Sequence, residues 1–238
     1  MRWLVLLALA GCGTISGGGG DDTMSPDAGW GVRQTMMPGG DGSPPPTAAD
    51  LLAKLSTCNK VGGDYATDSG GAQTIPICGL SNAVFWKADM DIDCDGKQSP
   101  QCNSSTDPSW QNQTSATDSH GNPLDAANLP YVVVPLPSTR FDYATAGLDF
   151  GSVIAVIYNN KLEYAVFGDE GPSSIIGEAS YATAAALGID PNPATGGVDS
   201  GVAYIAFTGA AAVVPVIEDH AMAVQLGIAR ARALLAGP

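Results

Sequence analysis

The sequence predicts a mainly β domain with a few helices, and three observations carry that expectation. Runs of β-branched or alternating apolar residues recur at 83–92, 131–136, 153–158, 161–167 and 202–207, each of strand length. Two of these runs flank Asn159-Asn160, a pair that tolerates the positive φ angles of a tight hairpin turn. Helical patterns are confined to short stretches after Thr47, over 179–187 and over 218–235. A chain of 238 residues has room for one sizeable domain with a real core once its ends are set aside.

The amino-terminal end reads as a leader. Met1-Arg2 precede an apolar run over 3–10 that is too short to span a bilayer. Leu9-Ala10-Gly11-Cys12 resembles the bacterial lipobox, whose cysteine is lipidated and becomes the first mature residue. Residues 1–11 are therefore expected to be a lipoprotein signal peptide, with an ordinary signal peptide as the alternative. Gly13 follows in place of an aspartate, so the expected location is the outer membrane or cell surface by a lipid anchor, or else secretion. Residues 12–46 carry four glycines in a row, Gly17 to Gly20, and Pro44-Pro45-Pro46. They cannot bury enough apolar surface to offset chain ordering, and a disordered tether is expected. That leaves 47–238 as the folded domain, expected to be a monomer.

Lipidation of Cys12 would leave Cys58, Cys78, Cys94 and Cys102, an even number suited to disulfides in an oxidising compartment. Three pairings are open, and loop length favours Cys58 with Cys78 and Cys94 with Cys102. Zinc is disfavoured, because there is no Cys-x-x-Cys pair and His120 and His220 lie far away in sequence. Ten basic against 24 acidic residues, a formal charge of −14, argue against nucleic acid and anionic lipid and favour cationic partners, although acidity for solubility alone is the plainer reading.

Thr47-Ala48-Ala49-Asp50 places a capping hydroxyl three residues before an acid and should start a short helix over Leu51, Leu52 and Leu55. The strand at 83–92 sets Val84, Trp86, Ala88, Met90 and Ile92 on one face and Phe85, Lys87, Asp89 and Asp91 on the other, where Asp93 joins them. Three carboxylates on one face repel each other unless a cation sits among them. Asp91-x-Asp93-x-Asp95-Gly96 also matches the first half of an EF-hand loop, but position twelve is Cys102 and a strand precedes the loop. Residues 131–136, flanked by prolines, read as a strand at an edge or barrel seam. The second hairpin strand ends at Gly168-Asp169, and the Ala-rich 179–187, stopped by Gly188, reads as a helix with Glu178 at its start. The helix over 218–235 lines up Ile217, Ala221, Val224, Ile228, Ala231 and Leu235 along one side, with His220 on its surface.

Asp169 and Glu178 are thus two carboxylic acids delivered near one another. Such a pair is what glycoside hydrolysis needs, one to protonate the leaving oxygen and one to activate water or attack the sugar. From spacing alone, a turn aspartate and a helix-capping glutamate are equally good readings. ADMDIDCDG at 88–96, PYVVVPL at 130–136, VIAVIYNNKLEYAVFGDEGP at 153–172 and IIGEASYATAAALGIDP at 175–191 together resemble the family 75 chitosanases, over most of the stretch from Cys78 to Phe207. The resemblance implies endo-acting, inverting hydrolysis of chitosan, a polymer of glucosamine, with the essential acids in the GD and GEAS motifs, here Asp169 and Glu178. It also implies a small closed β-barrel of the double-psi type, from the GDxGP…IG pattern. The lipobox departs from the fungal members, which have a signal peptide but no anchor.

On that resemblance the substrate is chitosan or chito-oligosaccharides, and no metal or organic cofactor is called for. Asp89, Asp91, Asp93 and Glu170 are candidates for binding the substrate's amines, and Tyr181 for lining the site. Trp110, in the long polar loop 102–130, either stacks on a sugar ring or anchors the loop. For the Asp-rich run, calcium and a hydrogen-bonded structural turn stay open beside amine contacts. A start-of-helix position would favour the ionised form of Glu178, whereas burial by Ile175, Ile176 and Tyr181 would favour the protonated acid. The reading inclines to Glu178 as the acid. The rival functions are a peptidoglycan-cleaving barrel enzyme and a calcium-dependent carbohydrate-binding lipoprotein.

Overall fold

The computed structural model describes residues 43–237. The leader, the Cys12 lipidation site and most of the tether lie outside them. Eight strands and three α-helices follow in order: α1 Ala48–Ala53, β1 Asn59–Tyr65, β2 Ile75–Gly79, β3 Ala83–Asp93, β4 Tyr131–Pro135, β5 Val153–Tyr158, β6 Lys161–Gly171, β7 Glu178–Ser180, α2 Tyr181–Leu187, β8 Val198–Phe207 and α3 His220–Ala236. Six strands, in the order β3-β7-β4-β6-β5-β8, close on themselves through the β3–β8 pairing. Closure removes the free edges that would otherwise template association. The β1–β2 hairpin adds to β3. The closed barrel expected from the sequence is present, with more strands than the five that alternation alone reveals.

Alternation along the strands divides the apolar residues into two groups. One takes Val84, Trp86, Ala88 and Met90 from β3, Val132 and Val134 from β4, Ile154 and Val156 from β5, Ala165 and Phe167 from β6, Ala179 from β7, and Val202, Tyr204 and Ala206 from β8. Every barrel strand contributes and neither α1 nor α3 does, so this group fills the lumen. Trp86 and Tyr204 stack there with ring centroids 5.2 Å apart. The other group takes the intervening residues, Phe85, Tyr131, Val133, Ala155, Val166 and Ile205 among them, together with Leu51 of α1 and Ala223, Ala231 and Leu234 of α3. It is the outer wall, covered by helices and by the loop that follows β3.

Local chemistry explains most element ends. Thr47 caps α1 in a full capping box with Asp50. Asn159 and Asn160 adopt φ of 47° and 62° where Tyr158 pairs with Lys161, the hairpin anticipated from that dipeptide. Cys58 joins Cys78 and Cys94 joins Cys102, the pairing that loop length favoured.

Three expectations need correction. β4 is no edge strand: it lies between β6 and β7 and all five of its residues are buried, because the prolines stand at its two ends and not within its hydrogen-bonded middle. Glu178 does not begin a helix. Ser180 is the N-cap of α2, its side chain accepting from the Thr183 N–H, so Glu178 sits on β7. The buried side of α3 is Ala223, Gly227, Ala231 and Leu234, not the bulkier stripe, because the helix presses directly on Tyr164. A Cβ on Gly227 would stand 2.2 Å from that ring. Asp91 and Asp93 lie in the extended β3 and pair with β7, in keeping with the failed EF-hand match in the sequence.

One irregularity positions everything that follows. Val132 pairs with Phe167, but Val133 pairs with Asp169, so β6 carries an extra residue, Gly168, against β4. This β-bulge shifts Asp169 from the lumen side, where Phe167 points, to the outer face shared with Val133. Only glycine fits at the bulge, since a Cβ there would lie 2.7 Å from Tyr131 Cβ and 2.9 Å from Leu124 Cδ1. Gly168→Ala is therefore expected to destabilise the domain by about 1–3 kcal/mol through overpacking. That corresponds to a fall in Tm of roughly 2–12 °C in a domain of this size, and differential scanning calorimetry measures it.

Candidate active site

The register across four strands aligns the acids. Asp169 on β6 pairs with Val133 on β4, Val133 with Glu178 on β7, and Glu178 with Asp91 on β3. Side chains of paired residues share a face, so Asp169, Glu178 and Asp91 form one row on the outer wall, with Val133 as the apolar floor between the first two. Asp93 lies two pairs further along β3, opposite Ser180, and Asp89 two residues back. Asp89, Asp91 and Asp93 do share a face, as their alternation with Met90 and Ile92 requires.

Asp169 is buried, and a single oxygen, Oδ1, takes three hydrogen bonds. Ser115 donates its backbone N–H at 2.8 Å and its hydroxyl at 2.6 Å, and Glu170 donates its N–H at 2.7 Å. Such donors supply the solvation that a buried carboxylate anion needs. Glu178 has a different environment. Burial first, then the charges of Asp91, Asp169, Asp95 and Asp107, push its pKa up to about 7. Gly171, two residues along β6 from Asp169, leaves room for it: a Cβ there would meet Val133 Cγ1 at 3.0 Å and Glu178 Oε2 at 3.5 Å. The Glu178 carboxyl therefore leans over Val133 towards β6.

A further acid stands behind the pair. Asp93 is buried, and burial together with Glu178 and Asp169 raises its pKa well above the ordinary carboxylate range. Its Oδ1 accepts the Asp95 N–H at 2.7 Å. Asp95 accepts the Gln111 N–H at 2.6 Å, and burial raises its pKa to about 6. Oxygens of Asp93, Asp95 and Asp169 lie within 4.8 Å of one another, near enough to converge on a cation. Asp89 is buried with one oxygen unpaired, and burial, then Asp91, raises its pKa to about 7; Asp68 and Asp199 add to the effect.

The remaining candidates scatter. Glu170 pairs with Val134 and so turns to the lumen side, where it accepts from Tyr143 Oη at 2.8 Å; the bulge that brings Asp169 outward sends its neighbour inward. Trp110 packs on the outer-wall group with its Nε1 buried and unpaired, which is the loop-anchor reading. Tyr181 is half-buried against the same group. His220 lies 2.7 Å from Glu163 Oε1 and belongs to the packing of α3, not to this row. Sequence reasoning missed Ser115 and left Asp95 out of the site. Asp95 was visible in the DIDCDG run, whereas nothing around Ser115 marks it, since its contact spans 54 residues.

Comparison with known proteins agrees with this geometry. Residues 90–227, a stretch containing every acid of the row and Ser115, match the family described as fungal chitosanase of glycosyl hydrolase group 75. Endo-chitosanase B of Aspergillus oryzae is 34% identical over 175 residues, covering 66% of this chain and 73% of that protein. An endo-chitosanase of Aspergillus oryzae (strain ATCC 42149 / RIB 40) is 34% identical over 182 residues, covering 67% and 74%. An endo-chitosanase of Aspergillus fumigatus is 33% identical over 141 residues, covering 53% and 59%. With more than half of its length matched and its outer-wall acids inside the match, the chain belongs to the glycosyl hydrolase group 75 chitosanase family.

Proposed function

We propose that this glycoside hydrolase cuts the β-1,4 glucosamine linkages of chitosan, endo-fashion and with inversion, using Glu178 as general acid and Asp169 as general base. The observation that carries the reading is the cross-strand row. It sets two carboxyls on one face in different environments, one buried and pushed up to about 7 and one hydrogen-bonded by three donors. Such divergence is how an acid and a base are told apart in one site.

The spacing leaves room for single displacement. One strand separates Asp169 from Glu178, so their backbones are about 9.5 Å apart. The lean of Glu178 over Gly171 shortens the distance between the carboxyls. An inverting pair stands ~6.5–9.5 Å apart to admit a water, whereas a retaining pair stands ~5–5.5 Å apart. In the step itself Glu178 gives its proton to the glycosidic oxygen as the bond from that oxygen to C1 breaks. A water on the opposite face of the sugar attacks C1 and passes its proton to Asp169. Asp89 and Asp91 extend negative potential along the outer wall, which suits a polymer carrying ammonium groups. Two disulfides suit an oxidising compartment, so we place the reaction outside the cytoplasm, with Cys12 as the proposed anchor point.

Mixing the full-length chain with soluble chitosan and following product size by mass spectrometry tests the activity, and NMR of the first products reads the anomer formed. Rapid mid-chain shortening with initial α-anomers is expected. Asp169→Asn and Glu178→Gln should each lower kcat by roughly 10²–10⁴-fold; a variant retaining substantial turnover would remove that residue from the mechanism.

A pH dependence of stability follows from the same acids. Glu178, Asp89, Asp93 and Asp95 all have folded-state pKa values raised by burial, so the folded protein holds protons that the unfolded chain releases. Their stabilising contribution is complete below the ordinary carboxylate pKa and is lost as pH rises towards about 7. The exposed Asp50, Asp118, Asp142 and Glu218 are held low by hydrogen bonds and are ionised throughout that window. Tm is expected to be higher at pH 5 than at pH 8, and Asp89→Asn should flatten the dependence by raising Tm at pH 8.

A further inference from the structure

We propose that Ser115 is a positioning residue for the reaction: its hydroxyl fixes the rotamer of Asp169 and occupies Oδ1, leaving Oδ2 to take the proton of the attacking water. This rests on the reading of Asp169 as general base. Ser115 comes from the loop between β3 and β4, and the contact is built, not incidental. Its N–H and its hydroxyl both reach Oδ1, at 2.8 and 2.6 Å, and the same hydroxyl accepts the Glu170 N–H at 3.3 Å. The flanking residues seat the loop on the bulge. Ala116 donates its N–H to the Gly168 carbonyl at 3.1 Å. Thr114, buried, donates its hydroxyl to the Ala116 carbonyl at 2.7 Å and accepts the Leu124 N–H at 2.9 Å.

The physical need arises from the bulge. The bulge leaves Gly168 unpaired in the ladder and re-aims the residue after it, so Asp169, although paired with Val133, depends on the loop that meets the bulge to fix its χ angles. Three donors converging on one oxygen supply that restraint and make the two carboxylate oxygens inequivalent. A base aligned within hydrogen-bond reach of its water gains rate through orientation. Both donors of Ser115 are spent on Asp169. Its influence passes through Asp169.

The distinguishing measurement is the steady-state kinetics of full-length Ser115→Ala, Ser115→Cys and Ser115→Thr on soluble chitosan, each checked for the parent Tm and near-UV circular dichroism. Loss of one hydrogen bond to a charged group should lower kcat by roughly ten- to hundredfold in the Ala and Cys variants. KM should stay within about twofold, because no substrate contact is lost. Ser115→Thr keeps the hydroxyl and should recover most of the rate. An unchanged kcat in the Ala and Cys variants overturns the proposal, as does a rise in KM with kcat intact, or a Thr variant as slow as Ala. A parent inactive on chitosan would instead refute the proposed function, so the two failures are separable.

Discussion

The extra residue at Gly168 is the constraint on which the acid pair depends. Regular alternation would send Asp169 into the lumen beside Phe167, away from Glu178 and Ser115. The bulge turns it onto the outer wall, in register with Glu178 across a single intervening strand. It is stabilised by what replaces the missing ladder bonds: Ala116 bonded to the Gly168 carbonyl, Ser115 to the aspartate, and Tyr131 and Leu124 packed where a side chain would otherwise stand. A bulge beside an active site is a common way of aiming one side chain without disturbing the rest of a barrel.

The cost of this arrangement is electrostatic. Asp89, Asp93, Asp169 and Glu178 gather on one face of β3, β7 and β6 with Asp95 from the following loop beside them, and four of these five have pKa values raised chiefly by burial. Among the described residues the salt bridges involve other acids: Lys60 with Asp64, Lys97 with Asp125, and the histidine pairs. Asp93, Asp95 and Asp169 accept hydrogen bonds from backbone amides and the Ser115 hydroxyl instead, while one oxygen of Asp89 is buried without a partner. A surface held in that state has a high affinity for protons, and for cationic groups on a ligand, which is the balance a hydrolase of an amine-bearing polymer would exploit.

The loop between β3 and β4 joins the two themes. The Cys94–Cys102 disulfide ties its beginning, the Gly96–Asp125 and Thr117–Pro123 bridges fold it back on itself, and Tyr131 Oη reaches the Asp95 carbonyl at 3.0 Å. Long loops without regular structure are uncommon in compact domains unless they serve a site. This one carries Asp95, Asp107 and Ser115 to the acids and roofs the outer wall with Ala116, Leu124 and Leu129.

The elements whose signals are local were legible in the sequence. The Asn159-Asn160 hairpin, the Thr47 capping box, the Gly188 helix stop and the shared face of Asp89, Asp91 and Asp93 each follow from neighbours within a few residues. The acid pair was legible through its motifs, and with it the mainly β class. What the sequence left undecided depends on contacts far apart along the chain. β1 and β2 have weak alternation and gain their strand character from pairing. α3 buries small residues because Tyr164 leaves no room for large ones. Glu178 proved to be a strand residue because Ser180 is taken as the cap, and burial, then the neighbouring acids, set its protonation. The flip of Asp169 needed the count of residues on β4 against β6, and the donors on it needed a loop 54 positions away. Local sequence determined which acids were available; only the closing of the barrel decided which way each one faces and what surrounds it, because register and burial are properties of paired strands and not of any one of them.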